Sequence, residues 1–224
     1  MEQPGSGLIE TMRVREGAIP FLAHHLARLE RSLAELRLPR PRQDPERLVK
    51  PFAGIGNAVV RLEVSDGRAS VTVRDVPPVA PPAVITAAEP HAPYPYKTTA
   101  RGVFSDATNE AELADADDAL LLTPDGYVAE GTVWNVFWWD GGVLRTPALE
   151  LGILPGIGRA RVLELFAQVD TGAFPRAALR DKSLFLTNAV RGVVPIATLD
   201  GVPVPADQRT TDLATRFWPE GLNA

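Results

Sequence analysis

Gly152-Ile153-Leu154-Pro155-Gly156-Ile157-Gly158-Arg159 leads into an apolar segment whose pattern predicts a helix over about 157–168. Glycines let a backbone approach a ligand closely, and the N–H groups at a helix start have no acceptor inside the helix. Such a junction therefore attracts an anion, typically a phosphate. A purely structural loop-to-helix turn looks the same, so the stretch takes its meaning from what surrounds it. Upstream, 118–122 and 127–130 read as strands around the turn Thr123-Pro124-Asp125-Gly126. Next come 135–139 and 143–146, around Asp140-Gly141-Gly142. Downstream, 184–187 reads as a buried strand and about 206–217 as a closing helix.

Further out, 7–14 is rich in strand formers, 15–17 reads as a turn and 18–21 as a return strand. Leu22, Leu26, Leu29, Leu33 and Leu36 share one face of a helix that Pro39 and Pro41 stop. Asp44-Pro45-Glu46 starts a second helix, and 57–64 with 69–76 form a hairpin around Ser65-Asp66-Gly67-Arg68. Prolines crowd 77–96, where 83–87 is the one strand candidate, and a helix follows over about 101–114. The expected fold class is mixed α/β (α+β) with short antiparallel strands. Residues 1–90 form a small N-terminal α+β domain, 91–96 a connector and 97–224 a larger C-terminal α/β domain.

The 224 residues are 45% hydrophobic and 23% charged, ordinary for a globular chain with a real core. No stretch approaches a membrane span, and Met1-Glu2-Gln3-Pro4-Gly5-Ser6-Gly7 lacks the pattern of a secretory signal. The absence of cysteine excludes a disulfide scaffold, a thiolate metal site and a cysteine nucleophile. A formal net charge of -5 argues against nucleic acid as the main partner. His24, His25 and His91 show no metal-ligand spacing, so no metal site is expected.

Two further features join the glycine-rich junction. Only three of the 23 basic residues are lysines: Lys50, Lys97 and Lys182. Lysine can lose its proton where arginine cannot. Lys97 follows Tyr94-Pro95-Tyr96, and an amine desolvated among such groups becomes a nucleophile; an exposed loop lysine is the plain alternative. Glu130-Gly131-Thr132 borders the apolar run 133–139, so Glu130 is either a solvent-facing end residue or a buried acid with a partner. A phosphate cradle, a lysine able to deprotonate and a buried carboxylate are together what pyridoxal 5'-phosphate requires.

From Gly7 to about Asp200 the chain resembles the class IV aminotransferases, the fold-type IV pyridoxal phosphate enzymes with the two-domain D-amino acid aminotransferase-like architecture. The motifs fall in family order: Glu10-Thr11-Met12-Arg13, His25-Leu26-Ala27-Arg28-Leu29, Lys97, Asp118-Ala119-Leu120-Leu121-Leu122, Glu130 to Asn135, Gly152 to Ile157 and Leu186-Thr187-Asn188. The resemblance implies that Lys97 is the Schiff-base lysine and proton shuttle. It implies that Glu130 contacts the pyridine nitrogen, and that Arg28, Ile157, Gly158 and Thr187 hold the phosphate. Asn188, Ala189 and Arg13 are implied at the substrate. Many members carry threonine where Gly158 stands. The family habit also implies a homodimer, cytoplasmic location and a small amine or amino acid substrate.

Within that family, 186–195 and 97–101 are more similar to the aminodeoxychorismate lyase-like members. The implied reaction converts 4-amino-4-deoxychorismate to 4-aminobenzoate and pyruvate, a step in folate biosynthesis. An aminotransferase acting on branched-chain or D-amino acids is the alternative. A non-catalytic relative acting as a binding module is the second alternative.

Overall fold

Alternation of apolar residues in Leu8-Ile9-Glu10-Thr11-Met12-Arg13-Val14 builds β1 (Leu8–Val14), the start of a computed structural model that describes residues 7–219. The stretch 1–6, read above for a signal, lies outside the described residues. The chain divides into two compact units. The first takes the described residues up to Pro78, with Tyr96–Ala100 and Trp218 onward; the second takes Val79–Pro95 and Arg101–Phe217.

In the first unit β1 is followed by helices α1 (Leu22–Glu35) and α2 (Pro45–Val49), then by β2 (Ala58–Ser65) and β3 (Arg68–Arg74). The three strands form one antiparallel sheet in the order β1-β2-β3. Asp66 and Gly67 both take positive φ, as the tight turn between β2 and β3 requires. The Asp44 side chain accepts from Glu46 N–H at 3.0 Å and caps α2, a contribution of about 1 kcal/mol. Leu8, Met12 and Val14 pack with Val60, Leu62 and Val64 against Leu29 and Leu33 of α1. Glu10 shares this inward face of β1, and His25, Arg28 and Ser32 share the buried face of α1. The face of α1 is thus partly polar, not the leucine stripe alone.

The expected return strand over 18–21 is a single bridge between Arg15 and Ala18. Pro20 has no N–H to extend the ladder, and Phe21 turns the chain into α1 with φ of 61°.

The second unit holds β4 (Ala83–Thr86), α3 (Gly102–Leu113), β5 (Asp118–Leu122), β6 (Val128–Gly131), β7 (Asn135–Asp140), β8 (Val143–Pro147) and α4 (Ile157–Leu165). After these come β9 (Val169–Gly172), β10 (Ser183–Asn188), β11 (Gly192–Pro195), β12 (Thr198–Leu199), β13 (Val202–Pro203) and α5 (Gln208–Arg216). Two five-stranded sheets result, β11-β10-β7-β8-β9 and β13-β12-β4-β5-β6. Leu120 and Val128 of one sheet share a core with Val136, Trp138, Leu184 and Leu186 of the other. On the opposite face of β5, Ala119 and Leu121 meet Ala107 and Ala111 of α3. The alternation along β5 therefore serves a sheet on one side and a helix on the other.

Several sequence expectations are displaced. The strands are not all antiparallel: β4 runs parallel to β5 and to β12, and β8 parallel to β9. Helices α3 and α4 fall within the β4–β5 and β8–β9 connections, as the geometry demands. Helix α4 ends at Leu165 rather than near 168, because Phe166 turns extended. Its ring packs on Trp139 with centroids 5.1 Å apart. The boundaries at 90 and 97 also move. β4 joins the second unit through its ladder with β5. Lys97 joins the first, because its carbonyl accepts from Ile9 N–H at 2.8 Å and Thr99 N–H donates to Gly7 at 2.8 Å.

Candidate active site

The second unit gathers Glu130, Ile157, Gly158, Thr187, Asn188 and Ala189. Glu130 stands on β6 and is buried. Its oxygens accept from Leu154 N–H at 3.1 and 3.2 Å, and from His91 Nε2–H at 3.1 Å. A carboxylate has about four acceptor positions, so this one can take a further donor. Leu154 is held from its other end too: its carbonyl accepts from Asn135 Nδ2–H at 3.0 Å. Asn135 begins β7, so the acid and the glycine-rich strap are tied to neighbouring strands. Asp118, buried at the start of β5, accepts from the Thr132 N–H at 2.8 Å and from its hydroxyl at 3.1 Å. Burial pushes the Asp118 carboxyl up, against these hydrogen bonds.

The strap delivers the chain to α4, whose N-cap is Gly156. The first N–H groups of α4 have no acceptor within the helix. A side chain at Gly156 would run into Asn135 Oδ1. A Cβ at Gly158 would sit 2.7 Å from Thr187 Oγ1 and 2.8 Å from the Asn188 backbone. This is the physical reason a glycine stands where threonine is common: β10 passes too close for any side chain. Thr187 is fully buried on β10, and its hydroxyl has no hydrogen-bond partner among the described residues. An orphaned buried hydroxyl costs free energy, which an arriving acceptor would recover. A helix start, an orphaned hydroxyl and a missing Cβ converge on one spot, and that donor set fits a phosphate. Asn188 Oδ1 accepts from the N–H groups of Val190 and Arg191 at 3.0 and 2.8 Å, shaping the turn after β10.

Arg28, Lys97 and Arg13 belong to the first unit. Arg28 reaches Glu10 with both arms of its fork, Nε to Oε1 at 2.8 Å and Nη2 to Oε2 at 2.6 Å. His25 Nδ1–H donates to the same carboxylate at 2.6 Å. All three groups are buried. Burial alone would push the Glu10 carboxyl up, but Arg28 and His25 outweigh it and hold it at about 2. Burial pushes His25 down, against the pull of Glu10. Lys97 is half-buried and stitched by its backbone to β1. Arg13, also half-buried, donates from Nε to the Val14 carbonyl at 3.2 Å.

Sequence reasoning missed His91, Glu10 and Asp118 as buried polar anchors. Asp118 had a signal, an acid opening the apolar run Ala119-Leu120-Leu121-Leu122. His91, inside a proline-rich connector, had none.

A sequence model of the amino-transferase class IV family matches residues 7–199. The chain belongs to that family and is a pyridoxal-phosphate-dependent enzyme with the fold-type IV architecture. Over 231 aligned residues it is 29% identical to the aminodeoxychorismate lyase of Bacillus subtilis strain 168, covering 88% of this chain and 79% of that one. It is 35% identical to a branched-chain-amino-acid aminotransferase of Pseudomonas aeruginosa over 108 residues, 46% of this chain and 35% of that one. Among solved structures, a fold IV transaminase from Curtobacterium pusillum superposes with a TM-score of 0.85 at 28% identity, covering 96% of this chain and 84% of that one. Among the described residues no helix is long and apolar enough to cross a membrane.

Proposed function

We propose that this enzyme is an aminodeoxychorismate lyase, converting 4-amino-4-deoxychorismate to 4-aminobenzoate and pyruvate. Alignment with the Bacillus lyase along 88% of the chain carries the reading. The higher identity of the Pseudomonas aminotransferase over 46% of the chain supports a second reading, amino transfer between an amino acid and a ketoacid. The enzyme acts as a cytoplasmic homodimer in folate biosynthesis under the first reading.

Bound pyridoxal phosphate supplies an aldehyde for the substrate amine and a ring that withdraws electrons from the carbon bearing it. Lys97 would be the amine that holds the cofactor through its aldehyde and the base that takes the proton from the substrate carbon. Glu130, steadied by Leu154 and His91, would accept from the protonated ring nitrogen. Within the second unit the Ile157 and Gly158 N–H groups and the Thr187 hydroxyl would hold the phosphate, and the family resemblance assigns Arg28 to the same group. The family resemblance assigns Asn188, Ala189 and Arg13 to the substrate. In the lyase the departing enolpyruvyl group leaves as pyruvate and the ring becomes aromatic.

The test begins with purified protein and pyridoxal phosphate, borohydride trapping and peptide mapping. Label on Lys97, rather than on Lys50 or Lys182, is the expected result. Purified 4-amino-4-deoxychorismate then distinguishes the two readings. Equal 4-aminobenzoate and pyruvate without added ketoacid support the lyase. Turnover only of amino acid and ketoacid pairs overturns it in favour of amino transfer.

A further inference from the structure

The imidazole of His91 is buried and held on three sides, all within the second unit. Its backbone N–H donates to the Leu122 carbonyl at the end of β5, at 2.7 Å. Its ring meets Phe104 of α3 edge to face, with centroids 5.8 Å apart. Its Nε2 lies 3.1 Å from Glu130 Oε1. The segment that carries it is pinned again farther on. There Tyr94 N–H donates to the Gly152 carbonyl at 3.0 Å, and a Cβ at Gly152 would run into Pro93. Among the described residues, His91 is the basic side chain within ion-pair distance of Glu130.

The partners decide which ring nitrogen carries the proton. A carboxylate only accepts, so Nε2 donates. Nδ1 is buried and has no hydrogen-bond partner among the described residues. A proton there would be a buried donor without an acceptor, so Nδ1 stays bare. The two oxygens of the acid are loaded unequally. Oε1 takes the His91 N–H and one branch of the Leu154 N–H, while Oε2 takes only the other branch. Oε2 is therefore the oxygen with more room for a further donor.

We propose that His91, as an Nε2–H imidazole, is a positioning residue that occupies Glu130 Oε1, leaves Oε2 for the ring nitrogen of the cofactor and keeps that nitrogen protonated. The inference rests on the proposed place of Glu130 at the ring nitrogen and holds for either reaction. An arginine at position 91 would draw on the acid's whole charge and leave a weaker acceptor for the ring. An imidazole N–H orients the carboxylate and leaves most of that charge in place. Without any donor the buried acid is poorer at holding its charge, and the shared proton moves from the ring nitrogen to the carboxylate. The ring then withdraws electrons less well.

Two NMR measurements test this. In apoprotein carrying nitrogen-labelled histidine, the signals missing from His91→Gln belong to His91. They are expected to show a protonated Nε2 and a bare Nδ1; a protonated Nδ1 overturns the proposal. The second measurement uses pyridoxal phosphate labelled at its ring nitrogen, bound to wild type, His91→Phe, His91→Gln and Glu130→Gln. Wild type is expected to give the shift of a protonated ring nitrogen. His91→Phe fills the space but donates nothing, and is expected to give the shift of a bare one. His91→Gln keeps an N–H donor at about the reach of Nε2, and is expected to restore the protonated shift. A protonated shift in His91→Phe overturns the proposal, as does a bare one in His91→Gln or in wild type. Should His91→Phe fail to fold, His91→Leu takes its place with the same expectations. Glu130→Gln separates this proposal from the placement beneath it. A protonated shift lost there but kept in His91→Phe overturns the role of His91 alone. A protonated shift kept in both removes Glu130 from the ring nitrogen, and the role of His91 falls with it.

Discussion

Replacing Glu10 by glutamine tests the buried charge cluster of the first unit without involving any cofactor. The side chain keeps its shape and can still accept hydrogen bonds, but the charge opposite Arg28 is gone. The Glu10 carboxyl sits at about 2 against an ordinary 4.5, which corresponds to about 3 kcal/mol of stability. Removing one partner of a buried ion pair costs a comparable amount. A carboxyl held low contributes stability that is fully present above its unfolded value and is lost as pH falls through its folded one. The part of the difference that belongs to Glu10 itself should therefore hold at about 3 kcal/mol from neutrality down to the ordinary 4.5, then shrink to nothing toward about 2. Glu10 also pulls His25 up against burial, so in the variant His25 is pushed further down and the difference widens below the histidine's ordinary 6.5 before it shrinks as Glu10 takes up its proton. The assay is denaturant unfolding at stepped pH with fluorotryptophan resonances as the reporter. Trp218 reports on the first unit, where it lies beside Phe21 at 6.2 Å, while Trp134, Trp138 and Trp139 report on the second. A difference below about 1 kcal/mol at neutrality, or one that does not change with pH, would refute the reasoning.

Thr187→Val should leave the apoprotein as stable as wild type or up to about 1 kcal/mol more so, because the lost hydroxyl has no partner among the described residues. It should also weaken pyridoxal phosphate binding about tenfold, read by equilibrium dialysis; unchanged affinity would move the phosphate away from β10. Gly158→Ala, ordinarily favourable in a helix, should instead destabilise by about 1–3 kcal/mol in thermal melts, since the new methyl meets the Asn188 backbone. A neutral or stabilising result would show that β10 yields. Lys97→Arg keeps the cation but not the ability to deprotonate; turnover and borohydride label should both vanish while the fold, by circular dichroism, persists. Residual full activity would remove Lys97 from the chemistry.

The elements of regular pattern were legible in the sequence. Leucine spacing located α1, alternation located β1, and Asp66-Gly67 located the β2–β3 turn. The motif order also pointed to the family. The misses share a cause: contacts between residues distant in sequence overrode local preference. Phe166 leaves helix α4 to pack on Trp139, with no glycine or proline to announce the break. Strands β9 and β11 are four residues each, too short for period-two alternation to stand out. Of the candidate site, Glu130 and the glycine strap stood out by residue type and order, and Thr187 came only from the family resemblance. The pairing of Glu10 with Arg28, and of His91 with Glu130, could not, because 18 and 39 residues separate the partners. Gly158 carried no visible reason in the sequence; the nearness of β10 supplies it.

Leu154 meets Glu130 with its N–H and Asn135 with its carbonyl, and neither bond uses the leucine side chain. The spacing between acid and helix start is therefore written in the main chain. Pro155 reinforces this by biasing residue 154 toward an extended backbone. Drift at position 154 can retune whatever its side chain touches while the distance between the two ends of the site is inherited unchanged. Proline alone among the twenty residues is barred there, since it has no N–H to give.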